Sequence, residues 1–196
     1  LTLDYRHTWG VHHLAATLLG EYQKSNRSGF WTLVKGFTTN LFGYDNLAAG
    51  STIPYGGTGS GYESPALGSL MGSFTYTLLD RYSLTLTTRA DGSSMVGKNN
   101  TWGYFPSVSA EWNAKAESFM RSLRWLSQLK LRTGYGTSGN LGGISSYNSL
   151  QLVRPIGIVS YDGTPTVTMG TIRNANPDLR WETRSTFNIG ADMGFW

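Results

Sequence analysis

The sequence predicts an all-β fold: an antiparallel transmembrane β-barrel present in part, about seven strands of a larger barrel, with short periplasmic turns and long extracellular loops. Three observations carry that prediction. Apolar and polar residues alternate with period two in one segment after another. The connections between those segments are alternately short and long. Aromatic residues recur near segment ends, where a ring with a polar tip suits a membrane interface.

The first segment sets Leu1, Leu3 and Tyr5 against Thr2, Asp4 and Arg6. In the second, Leu14, Ala16, Leu18 and Tyr22 alternate with His13, Ala15, Thr17 and Glu21, and only Leu19 falls on the polar side. From Leu67 to Asp91 the pattern describes a hairpin. Leu70, Gly72, Phe74, Tyr76 and Leu78 share one face with Tyr82, Leu84, Leu86 and Ala90, across a turn at Asp80 and Arg81. The next strand runs from Thr101 to about Asn113, with Trp102, Tyr104, Val108, Ala110 and Trp112 on one face. Pro106 interrupts its ladder, because proline donates no backbone hydrogen bond, and implies a bulge or a locally unpaired position. Leu129, Leu131, Thr133 and Tyr135 then face away from Lys130, Arg132, Gly134 and Gly136. In the last segment Phe187, Ile189, Ala191, Met193 and Phe195 face one way, and Glu182, Arg184, Thr186, Asn188, Gly190 and Asp192 the other.

Connections 8–11, 79–81 and 114–126 are the short class, and 25–66, 92–100 and 138–180 include two long ones. In a meander each class collects at one end, which is the outer-membrane barrel pattern. A short helix is expected between Ala116 and Leu126. Trp102 and Trp112 share a face, and at roughly 3.3 Å per residue and a tilt near 40° their separation projects to about 25 Å, the height of a barrel's apolar band. Trp9, Tyr82 and Trp112 are expected to mark the turn-side belt, and Tyr104, Tyr135 and Trp181 the loop-side belt.

Composition agrees and excludes other classes. Only 14% of residues are charged, and no stretch approaches the roughly 18 consecutive apolar residues of a membrane helix. The absence of cysteine removes disulfides and thiolate metal sites. The formal charge of +4 comes from scattered Lys and Arg without a basic run, so nucleic acid is not an expected partner. The N-terminal Leu1-Thr2-Leu3-Asp4-Tyr5 already alternates as a strand, so the chain is read as a fragment, a C-terminal barrel piece in which residues 1–196 belong to a single barrel domain.

Candidate functional residues divide between wall and loops. Arg89, Asp91, Lys130, Arg132, Glu182 and Arg184, with Asp192, are expected on the lumen-facing side. There they form cross-strand ion pairs or meet a solute or plug. Tyr44, Tyr55 and Tyr62 in the first long loop, and Tyr147 and Tyr161 in the last, are candidates to contact a substrate or partner. His7, His12 and His13 cluster in sequence but lack a zinc spacing, so no metal or cofactor is assigned. The run Gly56-Gly57-Thr58-Gly59-Ser60-Gly61 has no lysine at the Walker position and reads as a flexible loop. No nucleophile motif is present, and the chain is not read as an enzyme.

The stretch Arg89-Ala-Asp-Gly-Ser-Ser94, with Asn99-Asn-Thr-Trp-Gly-Tyr-Phe-Pro-Ser-Val-Ser109 and Glu111-Trp112, resembles the SusC/RagA family of TonB-dependent outer-membrane transporters. Leu129-Lys-Leu-Arg-Thr-Gly-Tyr-Gly-Thr-Ser-Gly-Asn140, Asn176-Pro-Asp-Leu-Arg-Trp-Glu-Thr183 and Asn188-Ile-Gly-Ala-Asp192 extend the resemblance. Met95-Val96-Gly97 departs from it, since the family more often has an aromatic before that glycine. The resemblance implies location in the bacterial outer membrane and a barrel of about 22 strands. It also implies a plug domain absent from this chain, and contact with the TonB complex through the missing N-terminal part. It further implies a SusD-like lipoprotein as lid and a glycan or peptide as the nutrient taken up. A passive porin-type barrel and a soluble β-sandwich carbohydrate-binding module are the alternatives that periodicity leaves open.

Overall fold

The computed structural model describes all residues from Leu1 to Trp196. Eleven strands follow in order: β1 (Thr2–Trp9), β2 (His12–Lys24), β3 (Arg27–Thr32), β4 (Thr58–Glu63), β5 (Ala66–Leu78), β6 (Tyr82–Ser93), β7 (Trp102–Asn113), β8 (Leu126–Asn140), β9 (Leu152–Tyr161), β10 (Thr164–Arg173) and β11 (Glu182–Phe195). Seven of them form one antiparallel sheet in the order β1-β2-β5-β6-β7-β8-β11, open at β1 and β11. The remaining four form two hairpins, β3–β4 and β9–β10, inside the long connections. The chain divides into two compact units, one of residues 24–65 and the other of residues 1–23 and 66–196.

The seven-stranded sheet follows the alternation residue by residue. Leu70 pairs with Ala90, Phe74 with Leu86 and Tyr76 with Leu84, and Leu84 in turn pairs with Ala110. Leu131 lies opposite both Trp112 and Ala191. This apolar face is covered by nothing in the chain: Leu84, Leu86, Phe187 and Ile189 are all exposed. A patch of this extent is what water does not tolerate and hydrocarbon does. The opposite face is polar, and its hydroxyls pair across the β5–β6 hairpin, Ser73 with Thr87 at 3.1 Å, Thr75 with Thr85 at 3.0 Å and Thr77 with Ser83 at 2.9 Å. Those pairs satisfy the wet side while the backbone ladder satisfies itself, as a membrane-spanning strand must. A β-sandwich would bury its apolar faces between two sheets. Here the oily face of the one large sheet lies bare, which overturns the soluble binding-module alternative.

The turns explain where the sheet reverses. Gly10 sits at φ +58° between β1 and β2. Between β5 and β6, Leu79 and Asp80 adopt φ of 57° and 55°, the positive values required at both centres of a type I′ turn and uncommon for residues with a Cβ. Leu79 N donates to Val11 O at 2.8 Å, fastening this turn to the neighbouring one.

Several expectations need correction. The stretch expected as a helix between Ala116 and Leu126 holds only one 3-10 turn, Ser118–Met120, after another that ends at Ala116, and Leu126 already opens β8. Of the two forms expected at Pro106, the bulge is absent and the locally unpaired position is found: β6 and β7 keep register through Thr88 and Pro106. The β7–β8 ladder instead begins at Ser107, so proline occupies the last position that lacks a partner on that side. Gly59 and Gly61, expected in a flexible loop, lie in β4 opposite Trp31 and Gly29. An added Cβ at Gly59 would fall 2.5 Å from the Trp31 indole nitrogen, so glycine is there to admit the ring. Trp181 is buried, not part of an outer belt, because it precedes β11 and the strand's alternation does not reach it.

Candidate functional site

The charged residues expected on the inner wall all lie on the polar-face side of the sheet, and most are paired there. Arg89 Nε donates to both carboxylate oxygens of Asp91, at 2.8 and 2.9 Å, while its Nη2 reaches Ser69 Oγ at 3.0 Å. Lys130 Nζ donates to Glu111 Oε1 at 2.9 Å, and Arg132 Nη2 to Asp192 Oδ1 at 2.8 Å. Glu182 accepts from Asn140 Nδ2 at 2.9 Å, and Arg184 stands exposed on the same face, opposite Ser138. Each pair joins adjacent strands or next-but-one neighbours on one strand, the geometry in which opposite charges stabilise a sheet.

The tyrosines are spread over both units. Tyr44 and Tyr55 lie in the connection between β3 and β4, and Tyr62 is a β4 residue whose hydroxyl donates to Asn26 Oδ1 at 3.3 Å. Tyr147 lies in the turn region before β9, and Tyr161 ends β9 with its ring exposed. Tyr62 and Tyr161 are therefore strand residues of loop hairpins, not members of irregular loops.

Alternation separates the three histidines. His7 and His12 join a row of rings on the apolar face, Tyr5–His7–Trp9–His12–Tyr76, with successive centroids 5.4 to 6.3 Å apart. His12 Nδ1 also meets the Tyr76 hydroxyl at 2.6 Å. His13 points to the other face, with Nε2 3.0 Å from Asp80 Oδ1.

Two arrangements were not anticipated from sequence. At the turn end, Glu117 accepts hydrogen bonds from Tyr82 Oη, Arg81 Nη1 at 3.1 Å and Trp112 Nε1 at 3.3 Å. Those donors, Tyr82 foremost, hold its carboxyl below the usual carboxylate value despite the desolvation that opposes them. At the loop end, the segment after β6 is clasped to the segment before β11. Gly97 N donates to Leu179 O at 2.7 Å and Asn99 N to Pro177 O at 3.1 Å. Asn99 Nδ2 donates to Asp178 Oδ1 at 2.7 Å, and Asn100 Nδ2 to Asp178 O at 3.1 Å. At Gly97 an added Cβ would lie 2.1 Å from Pro177 O, so the approach of the two backbones requires glycine. Beneath the clasp, Val96, Phe105 and Trp181 form a buried cluster against Leu67, Leu141 and Ile144, with Phe105 and Trp181 edge to face at 5.5 Å. Gly103 and Gly139 leave room for the Phe105 ring, which an added Cβ would meet at 2.5 and 2.2 Å. The motifs Asn99-Asn100-Thr101-Trp102 and Asn176-Pro177-Asp178-Leu179-Arg180-Trp181 are the two halves of this one device.

A family model described as TonB dependent receptor-like, beta-barrel matches residues 1–196. The chain belongs to the TonB-dependent receptor β-barrel family. Among its relatives, TonB-dependent receptor P3 of Formosa agariphila is 32% identical over 196 residues, which is 99% of this chain and 19% of that protein. TonB-dependent receptor SusC of Bacteroides thetaiotaomicron is 39% identical over 135 residues, 65% of this chain and 13% of that protein. The solved structure of the RagAB peptide transporter matches all of this chain and 21% of its own with a TM-score of 0.82 at 28% identity. This TonB-dependent receptor chain thus spans about a fifth of the length of such relatives, and is a piece of a larger barrel protein. Members of the family are outer-membrane β-barrel proteins.

Proposed function

We propose that this chain forms part of the membrane wall of a TonB-dependent importer in the bacterial outer membrane, which takes up a nutrient such as a glycan or a peptide. One observation carries the reading. A single antiparallel sheet with an oily face, an ion-paired face, short turns at one end and long loops at the other belongs to a chain that matches part of the RagAB transporter over all of its own residues. On this reading the apolar face meets lipid. Arg89, Asp91, Lys130, Arg132, Glu182 and Arg184 line the polar inside, against the solute path or a plug domain supplied by the rest of the protein. The loops, with Tyr44, Tyr55, Tyr62, Tyr147 and Tyr161, face the outside and a SusD-like lipoprotein lid. Energy reaches the barrel from the TonB complex through that other part, and the wall itself carries out no bond chemistry.

The test is made on the gene that encodes the whole protein. Deleting it is expected to abolish growth on a defined set of glycans or peptides, and uptake is expected to stop when TonB is removed. The tagged protein should co-purify with a surface lipoprotein. Uptake that continues without TonB would overturn the reading in favour of a passive, porin-type barrel.

A further inference from the structure

The clasp at the loop end encloses more than a hydrophobic cluster. Between the segment after β6 and the segments flanking β9 and β10 lies a cleft of about 460 Å³, within the size range of small-ligand sites. One wall is mostly polar, with Ser93, Ser94, Lys98 and Thr101 beside Val96. The other is mostly aliphatic, with Leu150, Ala175 and Pro177 beside Ser149. Both walls are held before any ligand arrives. The clasp joins Gly97 and Asn99 to Leu179 and Pro177, and Asn176 N donates to Ser149 O at 3.0 Å. Little ordering is therefore left for a ligand to impose.

The chemistry of the lining is selective. Lys98 takes part in none of the protein's ion pairs, in contrast with Lys130 and Arg132 on the wall. Its ammonium is a charge without an internal counterpart, and since Thr101 Oγ1 donates to Lys98 O at 3.4 Å, the serine hydroxyls of the same cleft are left to complete a carboxylate's hydrogen bonds. Ser94 Oγ already accepts from Ala66 N at 2.9 Å, which leaves its own hydrogen to donate. No aromatic ring lines the cleft, so it lacks the flat platform on which a sugar ring stacks, while Leu150 and Pro177 offer aliphatic surface for a side chain. We infer that this cleft is a subsite for an acidic peptide, with a carboxylate at Lys98 and Ser94 and an aliphatic side chain against Leu150 and Pro177. The inference rests on the import reading above and narrows its substrate class.

The experiment uses the full-length receptor in detergent. Fluorescence anisotropy compares a labelled hexapeptide of alternating leucine and aspartate, its counterpart with every carboxylate amidated, and maltohexaose. The acidic peptide is expected to bind about tenfold tighter than the amidated one, the worth of one partly screened charge pair. Lys98→Gln should bring that ratio close to one. Ala175→Trp, which fills the cleft, should weaken the acidic peptide, with amide exchange across the clasp verifying that the loops remain folded. Equal binding of the two peptides by the unmodified receptor, a ratio unmoved by Lys98→Gln, or preference for maltohexaose would each overturn the inference. Uptake assays keep the two readings apart. A receptor that imports in a TonB-dependent way but ignores the carboxylate loses the cleft alone, whereas one with Lys98-dependent preference and no import loses the transport reading alone.

Discussion

The wall and the loop end of this receptor piece are stabilised by opposite means. Along β5, β6 and the 107–113 part of β7 no large side chain is buried between layers: one face pairs hydroxyls and charges, and the other presents Leu84, Leu86 and Val108 outward. Above them, Val96, Phe105 and Trp181 make a core of their own, roofed by the Asn99, Asn100 and Asp178 hydrogen bonds. On the proposed reading the wall delegates its hydrophobic term to the bilayer, while the loop end supplies that term internally. The difference teaches that lesions in the two regions should be felt in different solvents and should not spread from one to the other.

Phe105→Ala makes the largest break in that comparison. It empties the centre of the loop core, and such a truncation costs about 3–5 kcal/mol. Amide hydrogen exchange on the full-length protein in detergent should show lost protection in 94–101 and 174–181, with β5 and β6 unchanged. Loss spreading evenly through the wall would show that the two regions are one cooperative unit.

Leu86→Arg attacks the wall instead. Leu86 projects from the apolar face in the middle part of β6, and an arginine facing lipid near the midplane costs about 2–4 kcal/mol. Thr85→Arg, one residue away and on the polar face, should cost far less. Urea unfolding in lipid vesicles measures the contrast, and equal losses would show that the two faces have been assigned wrongly.

The smallest effect sharpens the comparison at the turn end. Glu117 has its carboxyl lowered in the folded protein, so ionisation adds stability above the ordinary value of 4.5. That stability is lost as pH falls below it and through the lowered value, because the folded state must then take up a proton from a position that favours the anion. Trp112 donates to Glu117, and its fluorescence should change over that acidic window; Glu117→Gln should remove the transition. An unchanged titration in the variant would place the event elsewhere.

How much of this was legible follows from the reach of period-two alternation. β5, β6, β7, β8 and β11 could be read because each has one apolar and one polar face over most of its length, and the phase of Leu84, Leu131 or Ile189 survives into the structure. Trp181 was misplaced because it stands one residue outside that pattern. The β9–β10 hairpin was read as loop although Asp162-Gly163, with φ of 51° and 74°, is the dipeptide that a two-residue type I′ hairpin favours. Its Pro155 and Gly157 weaken the strand signal on one side. The Asn99–Asp178 clasp lay beyond local reading. The resemblance singled out both motifs, but only the fold brings together residues so far apart along the chain.

The pairing of β8 with β11 holds in register from Asn140 and Glu182 to Gln128 and Gly194, although the whole β9–β10 hairpin intervenes. Entropy makes that tolerance cheap, since doubling a flexible connection adds only about 0.6 kcal/mol to the cost of closing it. Such a sheet can exchange its long connections for longer, shorter or differently shaped ones at little thermodynamic penalty. The connections and the strands they join are thus free to change independently of each other.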